Sequence, residues 1–172
     1  MRSAWSVRRL HVVDEASIEG LAEVLVDCVG GGASVGFMHP LTRERAADFW
    51  RLVARGVGAG DRVLLVAEDA HGTCGTVQVV LAQPENQPHR ADLTKMLVHR
   101  RARRLGIGAA LLRAAEAVAR ELGRTLLVLD TASAAAERLY RRAGWQSVGV
   151  IPGYALLPEG GPCDTTVFYR RL

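Results

Sequence analysis

The segment RRLGIGAALL, Arg103 to Leu112, combines features that bind a polyanion. Gly106 and Gly108 carry no Cβ, so an anion can approach the backbone closely. An alanine-rich helical pattern begins at once. The first N–H groups of a helix lack internal partners and lie at the positive end of its dipole. Arg100, Arg101, Arg103 and Arg104 add charge beside them. Strand, arginine, two spaced glycines and helix together read as a cradle for a pyrophosphate. A dinucleotide fingerprint would need a third glycine where Leu111 stands, and a P-loop would need Gly-Lys-Ser/Thr.

Two acids and a tyrosine have the chemistry for proton transfer. Asp130 ends the apolar run TLLVL, where a carboxylate is costly unless paired or solvated. Asp92 falls in RADLTKMLV, and strict alternation puts it on the same side as Thr94 and Met96. Each acid also has a structural reading: a strand-end cap for Asp130, an ion pair with Arg90 for Asp92. Tyr140 lies in a short helical segment, where a half-buried ring is either core or a positioned proton donor.

The elements that must hold these residues follow from periodicity. A strand is expected from Trp5 to Val13 and a helix from Glu15 to Val29, broken by GGGASVG (Gly30 to Gly36). A second helix runs from Thr42, its N-cap, to Arg55. Strands follow at Arg62–Asp69, Cys74–Gln83 and Arg90–Val98. The cradle opens a helix that reaches Leu122 and stops at Gly123. Thr125–Thr131 is a continuous apolar strand, expected to be central. A short helix at Ala134–Arg142 precedes strands at Trp145–Ile151 and Thr165–Arg171. The order β-α-α-β-β-β-α-β-α-β-β predicts an α/β fold, a mixed sheet with helices on both faces. The 172 residues suit one domain, 1–172, and 49% are apolar.

Arg103-Arg104-Leu105-Gly106-Ile107-Gly108 resembles the acetyl-CoA motif Arg/Gln-x-x-Gly-x-Gly/Ala of the GCN5-related N-acetyltransferases, the GNAT family. AERLYRRAGW (Ala136 to Trp145) is similar to that family's A-x-x-L-Y-x-x-x-G-F segment, with Trp145 in place of Phe. Within the family the chain looks closest to the tabtoxin-resistance type, on GGASVGFM, NQPHRADLTKMLV, LDTASAAAERLY and VIPGYALLPEG. The resemblance covers nearly the whole chain. It implies a mostly antiparallel sheet splayed between strands four and five, with acetyl-CoA as cosubstrate and no metal. The pantetheine arm would lie in the splay, its amides met by backbone groups of Met96 and Val98. The pyrophosphate would meet the backbone of Arg103, Arg104, Leu105, Gly106, Ile107, Gly108 and Ala109. A strand-four N–H, of Leu97 or Met96, is a candidate oxyanion donor. Tyr140 stands where the family carries a catalytic tyrosine, the acid for the departing thiolate. Asp92 and Asp130 would bind the substrate ammonium and drain its proton, directly or through water. Many members of the wider family carry Glu at this place, where this chain has the shorter Asp92. Ser34, Phe37, Met38 and Tyr154 are expected near the acceptor.

The implied activity is direct acetyl transfer in a ternary complex to a small amine or amino-acid-like molecule, with detoxification of a tabtoxinine-like toxin as the finer implication. A protein N-terminus, a polyamine, an aminoglycoside and a non-catalytic acyl-CoA-binding module remain as alternatives. The net charge of +4 and the run HRRARR raise a nucleic-acid reading, but no aromatic residues interleave the charges, so no nucleic-acid partner is expected. Cys28, Cys74 and Cys163 are widely spaced and suit a reducing, cytoplasmic setting. MRSAWSVRRLHVVDE lacks a leader's apolar stretch, and no run is apolar enough to predict a membrane partner. The family's habit of dimerising leaves a homodimer open.

Overall fold

The computed structural model describes residues 5–172; the first four, part of the stretch searched for a leader, lie outside it. Seven strands form one sheet in the order β1-β2-β3-β4-β5-β7-β6. They are β1 (Trp5–Leu10), β2 (Arg62–Asp69), β3 (Gly72–Leu81), β4 (Arg90–Val98), β5 (Leu126–Thr131), β6 (Gln146–Leu156) and β7 (Pro162–Arg171). Every pairing is antiparallel except β4 with β5. The helices are α1 (Glu15–Gly30), α2 (Arg43–Ala59), α3 (Ile107–Glu121) and α4 (Ala134–Arg142).

The sequence marks the helix starts well. The Asp14 carboxylate accepts from the Ser17 N–H at 2.8 Å and Thr42 Oγ1 from the Arg45 N–H at 3.2 Å. The expected end of α2 at Arg55 is too early. Gly56 and Gly58 each weaken a helix without ending it; the stop comes at Gly60, in the left-handed conformation at φ +79°.

Each face of the sheet carries its own core. On one, Val63, Leu65, Ala91, Leu93, Leu127, Leu129 and Phe168 pack with Ile107, Leu111, Leu112 and Ala115 of α3. On the other, Leu64, Val66 and Leu97 pack with Leu21, Leu25, Trp50 and Val53 of α1 and α2. Strand β2 is therefore apolar at successive residues, because both its faces are covered.

Two departures from a regular sheet shape the site. Strands β4 and β5 pair over only three residues each, Arg90–Asp92 with Leu126–Val128, and then part. In β4, Lys95 and Met96 together face the one β3 position between Thr76 and Gln78, a β-bulge, with Lys95 at φ +51°. The bulge reverses the alternation beyond it. Leu93 and Met96 both pack on the α3 face, and Leu97 turns to the α1–α2 face. The expectation that Met96 shares a side with Asp92 and Thr94 is thereby overturned.

Candidate active site

The turn before α3 has the backbone of an anion cradle. Arg104 and Gly106 both hold positive φ, +62° and +82°, and Gly106 caps the helix without a side-chain hydrogen bond. The first helical bond runs from the Ala110 N–H to the Gly106 carbonyl at 3.1 Å. The N–H groups of Ile107, Gly108 and Ala109 therefore stand free at the helix start. A Cβ on Gly108 would come within 3.3 Å of Leu139, so its bareness also lets α4 approach α3.

The four nearby arginines divide their work. Arg100 is bound to Asp27, with its backbone N–H at 2.8 Å and its Nε at 2.9 Å from the two carboxylate oxygens. Arg101 pairs with Asp69 and donates to the Thr73 carbonyl at 3.1 Å. Arg103 Nε donates to the Val98 carbonyl at 3.2 Å. Arg104 is exposed and enters no ion pair among the described residues. The free positive charge is thus smaller than the sequence suggests, and it lies with Arg103 and Arg104.

Beyond Asp92 the edge of β4 facing β5 has no strand partner. Leu97 is in register with Thr76, Val98 with Gly75, and the His99 N–H donates to Cys74 O at 2.9 Å, so the backbone N–H and C=O of Val98 point to the edge away from β3. Its carbonyl already accepts from Arg103 and, at 3.6 Å, from the Cys28 thiol. Met96 has no register partner on β3.

Asp92 and Asp130 line one cavity of about 220 Å³, together with Thr94, Ile151, Tyr154 and Thr165. Arg90 Nη1 lies 2.6 Å from Asp92 Oδ1, so the ion pair read from sequence forms at this lining carboxylate. Asp130 is exposed and accepts from Thr165 Oγ1 at 2.8 Å. Tyr154 keeps 57% of its surface exposed at the rim. Ser34, Phe37 and Met38 do not line this cavity. Ser34 Oγ donates to the Leu156 carbonyl at 3.1 Å, and Phe37 meets Phe49 edge-on at 5.3 Å. Ser34, together with the His39 N–H donating to Pro158 O at 2.8 Å, fastens the α1–α2 loop to the β6–β7 hairpin.

Tyr140 lies on the α3 side of the sheet, 4% exposed, its ring against Trp145 at 5.8 Å and Phe168 at 5.7 Å. Burial raises its pKa above the usual tyrosine value, and the negative charge of Asp130 adds to the rise. Three residues escaped the sequence reading. Thr165 holds Asp130, and Asp27 holds Arg100; neither carries a local signal. The third is Lys95, whose ammonium sits 5.5 Å from the centre of the Phe49 ring. A larger recess of about 280 Å³ lies elsewhere, against Asp14, Glu23, Glu68 and His71, and contains none of the expected residues.

The model of the acetyltransferase (GNAT) domain matches residues 60–147, just over half the chain. That span holds β4, the cradle, α3, β5 and α4. Among solved structures, a ribosomal-protein-alanine N-acetyltransferase from Brucella melitensis superposes with a TM-score of 0.81 at 23% identity, over 97% of this chain and 99% of that one. A GCN5-related N-acetyltransferase from Kribbella flavida gives 0.80 at 22% identity over the whole of both chains. The yncA protein from Salmonella typhimurium, solved with its cofactor acetyl-CoA, gives 0.80 at 19% over 98% of this chain and 94% of that one. At these identities the neighbours show a shared fold, and the domain match carries the rest: this chain belongs to the GNAT family of acetyltransferases.

Proposed function

We propose that the protein, as one domain, moves the acetyl group of acetyl-CoA to the amine of a small, amino-acid-like acceptor within a ternary complex. The observation that carries this reading is the joint placement of Asp92 and Asp130 in one cleft at the mouth of the β4–β5 opening. The diphosphate is held by the N–H groups of Ile107, Gly108 and Ala109 and by Arg104, with Arg103, Leu105 and Gly106 shaping the turn. The pantetheine arm enters the opening along Met96, Leu97 and Val98. Since the Val98 carbonyl already accepts two bonds, its N–H is the better contact.

Asp92 and Asp130 attract the acceptor ammonium. Asp130, solvated and held by a neutral hydroxyl, is better placed than Asp92 to take its proton through water, because the Arg90 guanidinium occupies Asp92. The neutral amine forms the C–N bond, its nitrogen gives up the extra proton to water, and the C–S bond breaks as the tetrahedral adduct collapses. Met96, free of the β3 register, offers its N–H to the oxyanion; Leu97 is committed to the ladder. Tyr140 protonates the departing thiolate and is reprotonated from solvent. Tyr154 borders the acceptor, while Ser34, Phe37 and Met38 support the wall around it. The resemblance to the tabtoxin-resistance type supports an amino-acid-type toxin as acceptor, in the cytoplasm.

The test is thiol release from acetyl-CoA over a panel of amines, with calorimetry of coenzyme A alongside. Turnover on amino-acid-like amines supports the reading. Coenzyme A binding without turnover on any amine indicates a binding module, and no binding at millimolar coenzyme A removes the transferase reading.

A further inference from the structure

Lys95 is the only lysine among the 22 basic residues of the chain. It stands at the β4 bulge with φ +51°, a conformation that long side chains rarely hold. Its ammonium lies beneath the α1–α2 loop, over Phe49, and a Cβ on Gly36 would be 3.7 Å from it. Both neighbours are uncharged, and none of the ion pairs among the described residues includes it. A half-buried cation without an ion-pair contact is costly. Burial lowers its pKa, and Asp130 is near enough to oppose that shift. Thr94, the residue before it, lines the cavity of Asp92 and Asp130. The cavity is thus lined by two carboxylates, and the unpaired ammonium of Lys95 belongs to the residue next to Thr94, just outside that lining.

We propose that Lys95 binds a carboxylate of the acceptor while Asp92 and Asp130 hold its amine, so that Lys95 selects amino acids over simple amines. This inference deepens the amino-acid-like reading above and rests on it. Lysine suits the task because, unlike a guanidinium, it can shed its proton while unpaired and regain it when a carboxylate arrives.

The experiment pairs L-amino acids with the amines left when their carboxylates are removed. Wild type is expected to favour the acids. Lys95→Met should shrink the ratio of kcat/KM for acid over amine by about tenfold to a hundredfold, the scale of one charge-assisted hydrogen bond, and Lys95→Arg should retain part of it. Isotopic lysine labelling gives one side-chain signal, so the titration midpoint of Lys95 can be read directly; it should rise with an acid present and stay put with the matching amine. Equal losses for acid and amine, or a wild-type preference for amines, would overturn the role of Lys95 and leave the transferase reading standing. If no amine releases thiol, the transferase reading falls, and a Lys95 midpoint indifferent to carboxylates overturns this inference separately.

Discussion

Tyr140 is the residue on which the proposed chemistry can be tested most sharply. Its ring is fixed by Trp145 and Phe168, so Tyr140→Phe removes a hydroxyl without emptying the site. Turnover should fall by about a hundredfold or more, the range for loss of a general acid, with the KM for acetyl-CoA nearly unchanged; steady-state kinetics separates the two. The raised pKa of Tyr140 carries a sign. The acid form persists beyond the usual tyrosine value of about 10, so kcat should show no loss on the alkaline side below about pH 10 from this group. The two carboxylates should also differ. Asp130→Asn is expected to reduce turnover more than Asp92→Asn, because the Arg90 guanidinium already engages Asp92. Equal effects in the two pH–rate profiles would contradict that division of labour.

At the level of elements, the turn into α3 and the tie beneath it carry separate predictions. Gly106→Ala places a Cβ at φ +82°, which costs about 1–2 kcal/mol and distorts the N–H array, so acetyl-CoA should bind more weakly by titration calorimetry. Asp27 joins the end of α1 to the Arg100–Ala102 turn. Burial would raise its pKa, but hydrogen bonds from the Arg100 backbone and side chain, with the charges of His99 and Arg100, hold it below the ordinary value. Its stabilising effect is therefore present above the unfolded carboxylate pKa of about 3.9 and is lost as pH falls through the lower, folded value. Asp27→Asn should remove about 1 kcal/mol at neutral pH, a figure discounted for the exposed Arg100 partner, and little at pH 2, in urea unfolding at both. The sequence reveals these elements unevenly. The cap at Thr42, the Gly106–Gly108 pair and the alanine-rich helical pattern of α3 are local signals and were readable. The β4 bulge was not, since nothing in LTKML distinguishes a left-handed lysine from a regular strand residue. The fates of Arg100 and Arg101 depend on Asp27 and Asp69, distant in sequence, so a cluster of four charges looked more available than it is.

For the molecule as a whole, the two cores on opposite faces set how local damage spreads. Phe168 is fully buried in β7 and contacts Tyr140, so Phe168→Ala should cost about 3–5 kcal/mol in denaturant unfolding and lower turnover in the surviving folded fraction by loosening the tyrosine. The sheet order has a further consequence for how the protein is made. The strand that comes last in this sheet's chain order, β7, is not an edge: it lies between β5 and β6. As the chain leaves the ribosome, β6 has no neighbour to join, and the hairpin that anchors Ser34 and His39 does not exist. The residues proposed for the coenzyme can collapse before β7 is made, whereas the proposed acceptor wall waits for Pro162–Arg171 to slot between β5 and β6. The proposed site is therefore complete only once β7 has docked between β5 and β6.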